Sequence, residues 1–129
     1  MGVVADLTPS STFFRNVAEG HLTFQRCGDC NAAVFYPRVV CPRCGGVTLG
    51  WEESAGLGTV YSVSVLPQRD RDPVVVALVD LDEGYRMMSW IVGPGAPQVE
   101  IGQRVVARFD VPVESPRVTF TIENSDVNV

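Results

Sequence analysis

The four cysteines are the residues whose types and spacing most clearly indicate chemistry. They form two Cys-x-x-Cys pairs, Cys27 with Cys30 and Cys41 with Cys44, separated by a short connector. Each pair offers two sulfurs from one tight turn, and two such turns facing each other form a tetrahedron. The spacing therefore predicts a closed metal site in which zinc holds the fold together. Iron is the minor alternative, because it also accepts four sulfurs in a tetrahedron.

The residues that follow each pair fit this interpretation. Asn31 comes directly after Cys30, and Gly45 directly after Cys44. Both residue types tolerate the left-handed backbone conformation, which lets backbone N–H groups point at the thiolates and stabilise their charge. A dithiol redox motif is less favoured, because two such pairs lie close together.

Little else in the sequence suggests catalysis. If zinc holds every cysteine, no thiol nucleophile is left, and His21 is the one histidine. We interpret His21 as a solvated turn residue, because surface turns are where polar residues normally lie. No serine lies in a Gly-x-Ser-x-Gly motif, and the acidic stretch 80–83 is predicted to be a solvated hairpin end. These observations argue against a self-sufficient enzyme.

A short helix and three strands are predicted to position the cysteines. Pro9–Thr12 is typical of a helix start, with hydroxyl side chains available as N-caps, and Gly20 suits the helix end. The four-residue spacing of Phe13 with Val17, and of Phe14 with Ala18, predicts one apolar stripe that faces the chain's own core. Three strands are expected at the following places: Leu22–Arg26, Val34–Pro37 and Thr48–Ser54. Residues 1–54 are thus predicted to form a zinc ribbon preceded by a helix.

The remainder, residues 55–129, is predicted to be an antiparallel barrel. Its five short strands and compact turns suggest a Greek-key barrel such as the OB-fold. The expected strands are as follows: Thr59–Leu66, Val74–Leu81, Tyr85–Val92, one through Val105, Ala107, Phe109 and Val111, and Val118–Ile122. In the first of them, Tyr61, Val63 and Val65 are expected to share one face, and 67–73 is expected to be a charged turn.

Charge and targeting signals limit the classes of partner. The net charge is −5, and an acidic protein repels nucleic acid unless it gathers its cations on one face. Single-stranded nucleic-acid binding stays the alternative function, with Tyr61, Tyr85 and Trp90 as stacking residues on the barrel. No signal peptide or membrane-length apolar run is visible, so we expect a cytoplasmic protein with no membrane partner.

The ordered series of motifs resembles a known family. It is the OB-fold, acyl-CoA-associated family with an N-terminal rubredoxin-like zinc ribbon, once catalogued as a domain of unknown function. The resemblance extends from Phe13 to about Phe120, with departures at Phe14, often tryptophan in the family, and Tyr36, often proline. The matching stretches are these: Phe13-Phe14, Glu19–Leu22, Cys27–Cys30, Phe35–Arg38, Cys41–Gly45, Gly56–Ser62, Val76–Gly84 and Ile101–Val105.

The resemblance implies a non-catalytic accessory subunit. Such proteins accompany thiolase-like acyl-CoA enzymes, namely thiolases, aldolases of steroid side-chain breakdown and some acyltransferases, and the partner supplies the catalytic residues. Some relatives are fused to a hydratase-like domain of the hot-dog fold, and contact with acyl-CoA is left open. Aromatic residues at a surface are typical binding anchors, and the ribbon side is predicted to contact the partner through one region. Its aromatic residues are Phe13, Phe14, Phe35, Tyr36 and Trp51.

Overall fold

The computed structural model describes residues 8–110 and 117–123, and it begins with helix α1, Pro9–Ala18. The hydroxyl of Thr8 is the N-cap and accepts the N–H of Ser11 at 3.2 Å. Sequence analysis placed the capping hydroxyls at Pro9–Thr12, one residue or more too late; residues 1–7 lie outside the described residues. Gly20, with φ +88°, ends the helix as predicted.

Three strands form the ribbon sheet: β1 (Thr23–Cys27), β2 (Ala33–Val34) and β3 (Leu49–Glu53), in the antiparallel order β2-β1-β3. The predicted strand Val34–Pro37 is wrong beyond Val34. The buried amide of Gln25 explains where the chain goes instead. Its Nε2 donates to the carbonyl of Arg38 at 2.9 Å, and its Oε1 accepts the Arg38 N–H at 2.7 Å. This pair holds the 35–38 loop against β1 without strand pairing.

Five strands form a closed barrel, as predicted. They are β4 (Leu57–Gln68), β5 (Arg71–Leu81), β6 (Arg86–Ile91), β7 (Arg104–Asp110) and β8 (Arg117–Ile122). Their order around the barrel is β4-β5-β6-β8-β7, and β7 pairs with β4 to close it. Neighbouring strands are antiparallel except β6 and β8, which are parallel. Val111, predicted at the end of the fourth strand, lies outside the described residues.

A register shift in β4 overturns the predicted single face for Tyr61, Val63 and Val65. Val60 pairs with Val79, and Ser62 pairs with the adjacent Leu78, so Tyr61 is an extra residue on its strand. Such a bulge changes which face the following side chains occupy. Tyr61 is therefore exposed, whereas Val63 packs against the core. The predicted turn 67–73 is shorter too, because β4 and β5 continue to Gln68 and Arg71.

An aromatic stack joins the ribbon to the barrel. The ring of Tyr85, from the barrel, lies between Phe24 of β1 at 4.8 Å and Phe35 at 5.0 Å between ring centroids. Phe13 of α1 packs edge-on against Phe35 at 5.3 Å. One hydrophobic core therefore runs from the helix through the ribbon into the barrel. The division into domains 1–54 and 55–129 stays a prediction.

Glu83 strengthens this junction from the barrel side. Its carboxylate accepts the hydroxyl of Ser54 and the N–H of Ala55, both at 2.7 Å. The hydroxyl of Ser54 accepts the N–H of Gly56 in turn, at 3.0 Å. The three residues that connect β3 to β4 are thus fixed by hydrogen bonds to one another and to the barrel. In the described part of the chain, no helix is long and apolar enough to cross a membrane.

The Tyr85 hydroxyl gives a stability prediction. Its oxygen is buried and makes no hydrogen bond of ordinary geometry among the described residues; burial raises the pKa of Tyr85, and the nearby Ser54 hydroxyl offsets this only in part. Tyr85→Phe removes that unsatisfied group, so the free energy of unfolding should stay within about 1 kcal/mol of the wild type or rise. Tyr85→Ala removes the ring between two others and should cost about 3–5 kcal/mol. Urea denaturation followed by circular dichroism measures both, and equal losses in the two variants would contradict the stacking role.

Candidate functional site

The two cysteine pairs meet at the tip of the ribbon. Cys27 ends β1, and the four sulfur atoms all lie within 4.8 Å of one another. The Sγ atoms of Cys27 and Cys44 are 3.6 Å apart, and those of Cys30 and Cys41 are 3.7 Å apart. Four sulfurs placed tetrahedrally about 2.3 Å from a zinc ion would be separated by roughly 3.8 Å. The sulfur arrangement therefore fits a tetrahedral four-thiolate metal site.

The backbones of the two pairs are built alike. The N–H of Asp29 lies 3.4 Å from the sulfur of Cys27, and the N–H of Arg43 lies 3.4 Å from that of Cys41. The predicted left-handed residues are confirmed, with φ +66° at Asn31 and +79° at Gly45. Each donates its N–H to the carbonyl of the first cysteine of its pair, at 2.8 and 2.9 Å. These turns direct backbone dipoles toward the sulfurs, where negative charge will reside.

The thiols influence one another's ionisation strongly. Backbone N–H groups of Cys44 and Arg43 lower the pKa of Cys41 to about 7. The N–H of Gly46 also favours the thiolate of Cys44, but the neighbouring Cys27 sulfur, burial and the other two thiols raise the pKa of Cys44 to about 12. Four negative charges cannot gather in so small a space without a cation. The cluster is thus suited to bind a metal ion that draws the protons off all four thiols.

The surroundings of the cluster indicate a structural role. Cys27 and Cys41 are buried with Val34, and Leu49 packs against them, in a small cluster separate from the main core. Four protein ligands complete a tetrahedron and leave no position for a substrate, which is the pattern of a structural site. A cluster of this size holds little apolar surface, so a metal ion bound here would supply the cross-link that organises the tip.

The polar residues considered for catalysis are paired on the surface. The Nδ1 of His21 lies 2.8 Å from a carboxylate oxygen of Glu53, and both side chains are exposed, which agrees with the interpretation of His21 as a solvated residue. Asp80 pairs with Arg86 at 2.5 Å on the outer side of the barrel. Asp82 accepts two bonds from Arg104, both at 2.8 Å, and these lower the pKa of its carboxyl. Asp80 and Asp82 are therefore neutralised by arginines at a hairpin end, whereas Glu83 of the same stretch accepts the hydrogen bonds of Ser54 and Ala55 at the junction with the ribbon.

The aromatic residues predicted for partner binding fall into two groups. Phe14 and Tyr36 are exposed, by 51% and 53%. Phe13 is buried, and Phe35 and Trp51 pack against the main core, so these three hold the protein's own fold together. The apolar stripe of α1 is likewise divided, because Phe13 and Val17 are buried whereas Phe14 and Ala18 are exposed. The bulky Phe14 is thus left on the surface beside Tyr36.

Sequence analysis named Trp90 only as a stacking residue for nucleic acid, and it missed Met88, which lies near it on the outside of the barrel. Met88 and Trp90 of β6 are exposed by 58% and 38%. They border a groove of about 260 Å³ that Phe14 and Tyr36 also line. The alternation of β6 could have revealed them, because Met87, Ser89 and Ile91 point inward and the residues between them must point outward.

The stacking residues of the nucleic-acid alternative are not arranged as a platform. Tyr85 is buried in the aromatic stack and unavailable to a base. The exposed ring of Tyr61 is covered by the guanidinium of Arg86, 3.5 Å from its centroid, and that arginine already pairs with Asp80. Among the three predicted residues, Trp90 keeps a partly open ring, with Arg117 lying 5.1 Å from its centroid.

Comparison with known proteins decides the family. Residues 17–49 match the rubredoxin-like zinc ribbon domain of ChsH2, and residues 51–110 match its C-terminal OB-fold domain. A DUF35 domain-containing scaffold protein of Methanothermobacter thermautotrophicus is 32% identical over 80% of this chain and 83% of its own length. The chain belongs to the DUF35 family. The resemblance inferred from the motifs is thereby confirmed, as is the fold class.

Other relatives in the DUF35 family differ in length. A scaffold protein of Methanocaldococcus jannaschii is 36% identical over 65% of this chain. A probable enoyl-CoA hydratase alpha subunit of Thermomonospora curvata is 37% identical over 73% of this chain. The chain spans 64% of the first relative's length and 31% of the second's.

Two solved structures share the fold. A chain of the Ltp2-ChsH2(DUF35) aldolase superposes with a TM-score of 0.77 and is 33% identical, covering 88% of this chain and 94% of the other. A DUF35-family protein from Sulfolobus solfataricus gives a TM-score of 0.67 at 16% identity, covering 95% of this chain and 92% of the other. The second comparison shows the fold alone.

Gly45 provides a test of the metal site's backbone. A Cβ atom there would meet no atom within 4 Å, so the main effect expected of a substitution is the cost of the left-handed conformation. Gly45→Val should add about 1–2 kcal/mol, which corresponds to roughly a 5- to 30-fold loss of apparent metal affinity. Gly45→Asn is the matched control, because asparagine tolerates this conformation and already occupies the equivalent position at residue 31. Competition with a chromogenic chelator measures both; equal affinities for the two variants would refute the backbone requirement.

Proposed function

We propose that this chain is a non-catalytic accessory subunit that binds and stabilises a thiolase-like acyl-CoA enzyme. The observation that carries the proposal is its similarity to a chain of the Ltp2-ChsH2(DUF35) aldolase, 33% identical and alike over 94% of that chain's length. The name of that aldolase pairs a DUF35 protein with a second component. The scaffold names of the two archaeal relatives point in the same direction.

The proposed division of labour follows from the chemistry of the described residues. The four thiols gather at one metal site, and the imidazole of His21 faces a surface carboxylate. Thioester cleavage or carbon–carbon bond cleavage needs a nucleophile or a positioned base. In our proposal the thiolase-like partner supplies these groups, and this chain supplies the surface that keeps the partner folded and active.

The partner's reaction is proposed at the level of its class. It is a thiolase, retro-aldolase or acyltransferase acting on an acyl-CoA, in steroid side-chain or other acyl-CoA degradation. The relative named as a hydratase subunit, of which this chain spans 31%, supports a hydratase of the hot-dog fold as a second neighbour. Such an arrangement would let substrate pass between the two enzymes, and this chain would aid acyl-CoA binding or transfer. The proposed complex needs neither nucleic acid nor a membrane.

The metal in this proposal is zinc, held by Cys27, Cys30, Cys41 and Cys44. The match of residues 17–49 to a rubredoxin-like zinc ribbon supports it, and so do the sulfur separations of 3.6 and 3.7 Å. Zinc has no redox chemistry of its own, so it serves here as a cross-link between the two Cys-x-x-Cys turns.

The metal proposal predicts one zinc per chain in protein purified without added metal. Elemental analysis measures it, and a stoichiometric iron content with visible absorption would show that iron is the resident ion instead. Cys41→Ser should release the metal and disorder the ribbon tip, because the small cluster around the sulfurs contains few apolar side chains. The barrel should keep most of its β signal in circular dichroism, since its strands pair among themselves. Complete unfolding of Cys41→Ser would show that the barrel depends on the metal as well.

The functional proposal predicts a stable complex with the thiolase-like protein encoded nearest to this chain. Co-expression should give one species in gel filtration at micromolar concentration, because obligate contacts bury more than roughly 2,000 Å². The thiolase-like protein expressed alone should lose solubility or activity. A pair that elutes separately, together with a fully active lone enzyme, would overturn the accessory role.

A further inference from the structure

We infer that Asp29 captures the metal ion from solvent and passes it to the four thiols, and that the ion leaves by the same route. This role rests on the metal site of the proposed function and gives that site a fifth residue, which acts only while the ion enters or leaves. Asp29 lies between Cys27 and Cys30 in the first Cys-x-x-Cys turn. Its carboxylate is the capturing group.

The side chain of Asp29 reaches across the site to the second turn. The backbone N–H of Asp29 points back at the sulfur of Cys27, 3.4 Å away. A Cβ atom built on Gly46 would collide with the carboxylate of Asp29 and would lie 3.3 Å from the sulfur of Cys44. The carboxylate and that sulfur therefore border the same small space beside Gly46, which a side chain at residue 46 would fill.

This space lies on the accessible side of the cysteine cluster. Cys27 and Cys41 are buried whereas Cys30 and Cys44 are exposed, so an ion from solvent meets the second pair first. Asp29 is exposed too, next to Cys30 in the chain and near Cys44 in space. The carboxylate is thus placed beside both thiols that solvent reaches.

The second turn offers a cation where the first offers an anion. Arg43 occupies in Cys41–Cys44 the position that Asp29 occupies in Cys27–Cys30, and its N–H likewise lies 3.4 Å from the first sulfur of its turn. A guanidinium repels a divalent cation, whereas a carboxylate attracts it and provides an oxygen ligand that zinc accepts. The arriving ion is therefore drawn to the first turn.

The carboxylate of Asp29 is available for this role. Within residues 8–110 and 117–123, it makes no ion pair or hydrogen bond. Thiols bind a metal as thiolates and must first release their protons to solvent, whereas an aspartate carboxylate at neutral pH has no proton to release. Four sulfurs already complete a tetrahedron, so the carboxylate is not needed once the ion is bound. Asp29 consequently sets how fast the ion moves, not how tightly it is held.

Metal-transfer kinetics on the full chain test the role of Asp29. The reduced, zinc-loaded protein gives its ion to 4-(2-pyridylazo)resorcinol, and the metal-free protein takes zinc from the complex of the same dye; absorbance follows both. Asp29→Asn should slow both transfers at least about 10-fold, because no neighbouring ligand then holds the ion beside the thiols. The affinity relative to the dye is the ratio of the two rates and should stay within about twofold. Asp29→Glu keeps a carboxylate and should restore most of the rate.

Asp70→Asn is the matched control. It removes the same charge from an exposed barrel turn, and asparagine tolerates the left-handed conformation of Asp70, whose φ is +64°. Both transfer rates should stay at the wild-type value. If Asp29→Asn slows transfer no more than Asp70→Asn does, or only at low salt, long-range attraction explains the effect and the capture role is wrong. The role is also wrong if Asp29→Glu is as slow as Asp29→Asn, because the shape of the side chain would then control exchange.

Spectra of the cobalt(II)-substituted protein separate capture from permanent ligation. Asp29→Asn should keep the absorption bands of four-thiolate coordination, and altered bands would place the carboxylate among the resting ligands and overturn the transient role. If the wild type holds one zinc and Asp29→Asn exchanges it at the wild-type rate, the metal site stands and the role of Asp29 is wrong. If the wild type binds no metal, the site and the role fail together.

Discussion

The stacking of Tyr85 between Phe24 and Phe35 is the contact on which the rest of the arrangement depends. Ring centroids 4.8 and 5.0 Å apart place residues from the barrel, β1 and the following loop in one column. Aromatic pairs of this kind combine a large buried area with a preferred geometry, so they fix an orientation as well as contribute stability. The ribbon cannot turn on the barrel without separating these rings. The hydrogen bonds of Glu83 to Ser54 and Ala55 hold the short connection in the same position.

The metal site and the stack stabilise different parts of the ribbon. The stack belongs to the main core, whereas the cysteines form a small cluster with Val34 and Leu49 at the far tip. The tip has few apolar contacts of its own, and a metal cross-link between its two turns would replace the core that it lacks. The chain between them, residues 35–40, begins in the stack with Phe35 and ends at Cys41, one of the four clustered thiols. Gln25 secures its middle through the backbone of Arg38.

The sequence predicted most of this architecture because its strongest signals are local. Cysteine spacing identified the four thiols that the structure brings within 4.8 Å of one another. Asn31 and Gly45 indicated their left-handed turns through residue type alone. Periodicity located the five barrel strands but could not reveal the bulge at Tyr61, since an extra residue changes the face without changing the composition of the strand. The end of β2 at Val34 was missed for a similar reason. The amide of Gln25 that captures the loop is remote from it in sequence, and its burial is a tertiary effect.

Residues that bind another protein are the hardest to predict. The sequence alone does not show whether an aromatic side chain packs into the chain's own core or contacts a partner. Phe13 and Phe14 are neighbours, yet helical geometry turns one into the core and the other toward solvent. Strand alternation in β6 carried the missing information, since Met87, Ser89 and Ile91 take the inward positions and an apolar residue between them has no core to enter. The loop between the aromatic stack and the cysteine cluster places Tyr36 beside Phe14 and opposite these outward residues of β6. A metal ion bound by the four thiols would fix the far end of this loop, whose near end the aromatic stack holds. The exposed tyrosine between them forms one wall of the groove.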